Sequence, residues 1–336
     1  MEPNTIFVIL IVIFIIAVLI AYNFLSHSRE EETIKESNKL FEDKPNVNWN
    51  ISDIEIKNKG IKEIKNELDK YIAGNNELKL AMIISFFTKS HLLIESVPWL
   101  AKTTTVKLFS KIVGFEESRI QGTPDLLPSD IIWNQILSKD NKSDYSKWPI
   151  FANIILFDEI NRTTPKTQSA LIQAMEEKAV TIYDDTIKLP DPFVVFATLN
   201  PIEQRGTYSL PEAQLDRFSM KVVLNYPTKE DEKKILWLSS FDINSIKAIL
   251  THDLFYKINQ EIEKIWYNED ILDYIADILE QSRTDKNIKI GWSPRVGKDI
   301  LKLAKAIAYI KWADYIDISD IDMIKNSALR HRVILK

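Results

Sequence analysis

The sequence predicts an α/β fold, a parallel sheet with helices on both faces followed by an all-helical domain, and three stretches carry that expectation. The run Ile154-Ile155-Leu156-Phe157 is apolar at every position, as a central parallel strand must be when helices cover both faces of its sheet. Phe193 to Thr198 is a second apolar strand. After Tyr226-Pro227 the period changes to that of helices: Ile271, Leu272, Ile275, Ile278 and Leu279 form one apolar stripe, and Val296, Ile300, Leu303, Ala304 and Ile307 form another.

The elements follow in order. Ile6 to Leu25 carries no charge and only Tyr22 and Asn23 as polar interruptions, and at ~1.5 Å per residue it can cross a ~30 Å hydrocarbon layer. It is expected to be an N-terminal transmembrane helix, being too long for a signal-peptide core and lacking a basic leader and a small-residue cleavage site before Ser26. Arg29, Lys35, Lys39 and Lys44 follow it, which places the body of the chain on the cytoplasmic side. Residues 26–50 are polar and read as a linker. Ile61 to Phe87 suits two amphipathic helices with Gly74-Asn75-Asn76 as their turn. His91 to Glu95 is the first core strand, Ser96 to Ala101 a loop, and Lys102-Thr103-Thr104 the start of a helix to about Val113. Thr164 and Pro165 open the next strong helix, and Ala179 to Leu189 reads as a β-hairpin. Ser293-Pro294 opens a later helix, and Ser319 with Asp322 makes a capping box for the last. The expected units are an anchor at 1–25, a linker at 26–50, a core at 51–226 and a helical domain at 227–336.

Chemistry enters at Asp158 and Glu159, which end the first apolar strand. Ligands of open α/β sheets bind beyond the carboxyl ends of the strands, so this pair is placed to hold a metal and polarise a water, as a Walker B motif does. The companion phosphate loop is Ser96-Val97-Pro98-Trp99-Leu100-Ala101-Lys102-Thr103-Thr104. Lys102 would reach the β- and γ-phosphates, Thr103 would ligate Mg²⁺, and the helix N-terminus would offer N–H groups to the anion. Ser96, Trp99 and Ala101 stand where such loops carry glycine, and Trp99 is the serious departure because the backbone itself must wrap the phosphate.

From His91 to Arg332 the chain resembles the MoxR family of AAA+ ATPases. The resemblance is carried by Ser118 to Gln121, Thr123 to Asp130, Pro149 to Arg162, Pro165 to Leu171, Asn200 to Gln204 and Leu210 to Phe218, in the family's order. It implies a P-loop AAA+ αβα core with a helical lid, binding ATP and Mg²⁺. It also implies roles: Lys102 and Thr103 as the Walker A pair, Asp158 as the Mg²⁺ carboxylate, and Glu159 as the residue that activates water. Asn200 would be the sensor of that water, Arg217 an arginine finger acting on a neighbouring subunit, and Arg295 a second sensor carried to the γ-phosphate by a lid hinged near residue 227. Partners implied are further copies in a ring, six in the family's usual manner, and client proteins that include von Willebrand factor A domain proteins. The insert at Ile131 to Pro149 and the hairpin are the expected contact points. Neither a net charge of −5 nor the absence of a basic stripe favours nucleic acid, and the absence of cysteine removes zinc–thiolate and disulfide frameworks.

Tryptophan carries a separate signal. The family pattern has glycine where this chain has Trp99, Trp133, Trp148 and Trp312, and the chain holds 7 glycines where ordinary usage of ~7% gives roughly 24. Drift does not repeatedly choose the largest side chain at sites that suit the smallest. Two readings stand: a source that decodes UGA as glycine, so that these positions are native glycines, or a pseudo-ATPase scaffold that lost nucleotide binding through Trp99. A third, core tryptophans unrelated to either, fits Trp237 or Trp266 but not Trp99.

Overall fold

The computed structural model of the chain describes residues 50–96, 102–132, 149–182, 185–201, 207–237 and 243–336. The apolar segment 6–25, the loop Val97 to Ala101 and most of the insert, including Trp133 and Trp148, lie outside them. Among the described residues no helix is long and apolar enough to cross a membrane.

Five parallel strands form the central sheet: β1 (Leu92–Ser96), β2 (Glu117–Gln121), β3 (Ile154–Asp158), β6 (Val194–Leu199) and β7 (Met220–Leu224). Their spatial order is β2-β3-β6-β1-β7. The remaining two strands, β4 (Ala179–Ile182) and β5 (Asp185–Lys188), pair antiparallel as the expected hairpin. Alternate side chains of each core strand enter two separate apolar clusters, as period-two geometry requires. Leu92, Ile94, Leu156 and Phe196 face one, and Leu93, Ile155, Phe157 and Val195 face the other. Helix α5 (Pro165–Glu177) covers the second face, with Thr164 Oγ1 accepting from Thr167 N–H as its cap.

The first face is shared. Helices α1 (Lys59–Tyr71), α2 (Asn76–Phe87) and α3 (Lys102–Val113) pack there, and their cluster runs without a break into the helical domain. That domain comprises α8 (His252–Lys264), α9 (Glu269–Thr284), α10 (Pro294–Ile310) and α11 (Ile318–Leu329). Between α3 and this domain lie the short helices α4 (Pro128–Ile132) and α6 (Glu212–Leu215), and the exposed α7 (Lys229–Trp237). The expected stripes of α9 and α10 are buried except at Leu272, which faces solvent one position off the stripe. The cap of α11 also differs: Asp317 is the N-cap and Asp320 completes the capping box, two residues upstream of the expected Ser319 and Asp322. A carboxylate accepts the orphan N–H groups at least as well as a hydroxyl, and Asp317 comes first in the chain.

The tryptophans separate cleanly. Trp237 is 90% exposed and Trp266 62%, so the core reading holds for neither. Among the described tryptophans Trp292 is the buried one, its indole Nε1–H donating to the Arg332 carbonyl at 3.0 Å. Trp312 is 71% exposed and has φ = 63°, directly after the α10 C-cap Lys311. That is the left-handed position which ends helices and which glycine fills most easily. At the end of α3 the chain meets the same requirement with Gly114, at φ = 71°.

Candidate active site

Parallel strands put their carboxyl ends on one edge, and at that edge the fold gathers Ser96, Gln121, Asp158 and Thr198. Lys102 opens α3 directly beyond β1, which it leaves by way of the loop. Burial lowers the Lys102 ammonium pKa, while Asp158 and Glu159 pull it back up, so the lysine and the two carboxylates share one electrostatic site. Thr103 and Thr104 follow in the first turn of the helix.

Asp158 is buried and fully engaged. The Thr198 hydroxyl donates to its Oδ1 at 2.7 Å, and Arg119 Nη2 donates to its Oδ2 at 2.7 Å. The same Thr198 oxygen accepts the Glu159 N–H at 2.8 Å. Glu159 has φ = 58°, left-handed for a residue with a side chain, which places a strained turn at the end of the strand. Its carboxylate takes Gln121 Nε2–H at 3.1 Å and lies 3.1 Å from Arg162 Nε. Gly122 closes this edge: its N–H donates to the Asp158 carbonyl at 2.7 Å, and a Cβ there would sit 2.3 Å from the Glu159 carbonyl oxygen. Only glycine permits that approach. Asn200 is buried one residue beyond β6, and its carbonyl accepts from Asn161 Nδ2 at 3.2 Å.

The donor set suits the implied group. Asp158 and Thr103 offer hard oxygen ligands of the class Mg²⁺ prefers, and Lys102 supplies the charge a polyphosphate needs. Of the loop, Val97, Pro98, Trp99, Leu100 and Ala101 lie outside the described residues, while Ser96 is buried at the end of β1.

Arg217 and Arg295 are elsewhere. Both pair with Glu176 near the end of α5, Arg295 Nη1 at 3.6 Å from its Oε1. The neighbouring Met175 carbonyl is 3.3 Å from Nε2 of His91, the residue preceding β1, so this cluster marks the amino-terminal edge of the sheet. Five strand residues at ~3.3 Å each put roughly 15 Å between the two edges. In this arrangement Arg295 pairs with Glu176. Buried Arg332 ties α10 to the segment before β7, pairing with Asp299 at 2.6 Å and Asp216 at 2.9 Å, and Ser293 Oγ lies 3.4 Å from Asp216.

His91 and His331 are structural. His91 Nδ1 accepts the Val195 N–H at 3.0 Å, and His331 Nε2 lies 2.7 Å from the Phe218 carbonyl. Sequence reasoning assigned no role to Arg119, Gln121, Thr198, Glu176 or Arg332. Signals for two of these existed, since Arg119 and Gln121 belong to a matched block, but strand register was needed to aim them at the carboxylates.

Comparison with known proteins agrees with this geometry. Residues 91–220 match the family described as ATPase family associated with various cellular activities (AAA), and residues 280–336 match the AAA lid domain. The chain is 38% identical to the uncharacterised protein YeaC of Bacillus subtilis, covering 80% of this chain and 85% of that protein. It is 35% identical to Chaperone MoxR1 of Mycobacterium tuberculosis, covering 80% and 74%. A crystal structure of a protein from Cytophaga hutchinsonii superposes with a TM-score of 0.77 at 38% identity, covering 82% and 88%. With a carboxylate pair and a lysine at one sheet edge, paired arginines at the other and a helical lid behind them, the chain belongs to the MoxR family of AAA+ ATPases.

Proposed function

We propose that the protein is a membrane-anchored AAA+ ATPase that forms a ring and couples ATP hydrolysis to chaperone-like maturation or activation of partner protein complexes. The observation that carries this reading is that β3 ends in Asp158 and Glu159 at the carboxyl edge of the sheet while Lys102 opens the helix that follows β1. Lys102 neutralises the β- and γ-phosphates of the substrate. Thr103 and Asp158 would hold Mg²⁺, which supplies further positive charge to the phosphate oxygens when bound. Glu159 polarises the attacking water, and Asn200 orients it. Phosphoryl transfer rests mainly on position and on charge neutralisation, and these residues provide both.

Arg217 acts on the nucleotide of an adjoining subunit, and Arg295 reaches the γ-phosphate from the lid. A ring, hexameric in the family's manner, satisfies that requirement. Segment 6–25 anchors the ring with the ATPase on the cytoplasmic side, where ATP is available. Clients of the von Willebrand factor A class come from the family resemblance alone. Native glycine at 99, read from UGA, gives the loop Ser-Val-Pro-Gly-Leu-Ala-Lys-Thr and restores phosphate wrapping. The exposed, left-handed Trp312 supports the same decoding at a second position.

One observation favours a second reading: a genuine Trp99 in the loop would make the chain a non-hydrolysing scaffold at the membrane. Glu159→Gln discriminates. On the first reading this variant retains bound ATP and loses turnover, measured by filter binding and phosphate release. Undiminished hydrolysis removes Glu159 from its role, and no ATP retention by the chain with Trp99→Gly favours the scaffold.

A further inference from the structure

We propose that His331 and Arg332, which follow the last helix of the lid, fix the place of Arg217, so that the arginine a subunit offers its neighbour is aimed by its own lid. The idea rests on the reading above, in which Arg217 acts on the nucleotide of an adjoining subunit.

Arg217 lies between α6 and β7, in a stretch that belongs to neither element. The residues on both sides of it are held from the lid. On one side Arg332 Nη2 donates to the Asp216 carbonyl at 2.9 Å, and Arg332 Nε lies 2.9 Å from Asp216 Oδ1. On the other side the Phe218 carbonyl lies 2.7 Å from His331 Nε2. A carbonyl can only accept, so Nε2 carries the proton and donates it. Two consecutive residues thus clamp the chain on either flank of Arg217.

The clamp is itself fixed to the lid. Arg332 Nη2 also donates to Asp299 Oδ2 at 2.6 Å, and Nη1 donates to the Ala328 carbonyl at 3.1 Å. Asp299 stands four residues along α10 from Arg295, on the same side of the helix. The Arg332 side chain is 3% exposed, so two carboxylates answer a charge held out of water, and a planar guanidinium bound in this way has little freedom to shift. Glu176 pairs with Arg217 directly but is 46% exposed, and pairs so open to solvent fix a position weakly. A finger stabilises transferring phosphoryl charge only where its guanidinium is placed, and a misplacement of about 1 Å can cost ~100-fold in rate. His331 and Arg332 are positioning residues: they act through the backbone beside Arg217 and touch no nucleotide.

The test uses the full chain carrying Trp99→Gly, with phosphate release and binding of a fluorescent ATP analogue measured side by side. Arg332→Met should lower hydrolysis roughly a hundredfold with analogue affinity unchanged. Mixing these subunits with Glu159→Gln subunits, whose lids and arginines are intact, should restore turnover, whereas Glu159→Gln/Arg217→Ala subunits should not. Arg332→Met added to Arg217→Ala should cause no further loss, because both changes remove one contribution. Asp299→Asn, which keeps the buried arginine, should show the same pattern with a smaller loss and carries the comparison if Arg332→Met does not fold. Weakened analogue binding, failure of the mixed-ring rescue, or additive losses in the double variant would each overturn the proposal, since Arg332 would then support the fold or its own nucleotide site. If Arg217→Ala by itself leaves hydrolysis intact, the finger reading fails and the proposal falls with it.

Discussion

At residue 312, glycine should stabilise the protein more than alanine, reversing the usual order. Trp312 sits at φ = 63° immediately after α10 and is 71% exposed. Replacing tryptophan by either residue removes the same partly buried ring, so that loss cancels in the comparison. Alanine keeps a Cβ in the left-handed region, which costs roughly 1–2 kcal/mol, whereas glycine avoids the clash but leaves a more flexible unfolded chain, costing ~0.4–1 kcal/mol. The difference favours Trp312→Gly over Trp312→Ala by about 1 kcal/mol. Guanidinium unfolding of the two variants, at equal slopes, reads this directly. At Trp266, exposed but not left-handed, the order should be the ordinary one, with alanine equal or better. A glycine variant at 312 that is less stable than the alanine variant would falsify the backbone argument and remove the structural support for a glycine codon there.

Other outcomes follow from the same geometry. Trp292→Ala should cost about 3–5 kcal/mol, because it empties a buried site and leaves the Arg332 carbonyl without its indole donor; a loss below 1 kcal/mol by denaturant titration would show that Trp292 is not packed as described. Arg217→Ala should abolish hydrolysis yet regain it in mixed rings with Glu159→Gln subunits, which supply the arginine but cannot hydrolyse; phosphate release without rescue would place the arginine in its own site. Burial lowers the His91 imidazole to about 3 and holds His331 well below its usual value, with Arg332, Lys221 and Arg330 around the latter. The unfolded chain therefore binds more protons below about pH 6.5, so stability present above that pH is lost as pH falls, by up to ~1.4 kcal/mol per unit for each histidine. His91→Gln should flatten this slope between pH 7.5 and 5.5, and an equal slope in both proteins would mean that His91 titrates normally. Removing residues 1–25 should release the protein from membranes on flotation, and continued attachment would contradict the anchor.

What the sequence disclosed depended on how local each signal is. The strand ending in Asp158 and Glu159, the helix opened by Lys102 and the Thr164 cap are short patterns, and each stands where the pattern placed it. The pairing of Arg295 with Glu176, and of Arg332 with Asp216 and Asp299, joins residues far apart in the chain and has no local signal. Gln121 and Arg119 needed the β2–β3 register, which no local pattern encodes. The last capping box slipped by two residues because Asp317 and Ser319 compete for one set of N–H groups. Trp292 and Trp312 look alike as letters. Backbone torsion and burial distinguish the packed Trp292 from Trp312, which is exposed in the left-handed conformation that glycine adopts most easily.

Mass spectrometry of the tryptic peptide Ser90–Lys102 from the native protein tests the central claim most directly, since a working phosphate loop is what makes the carboxylate edge an ATPase site. The account predicts glycine at residue 99. Tryptophan there would contradict it and leave the membrane scaffold as the better description.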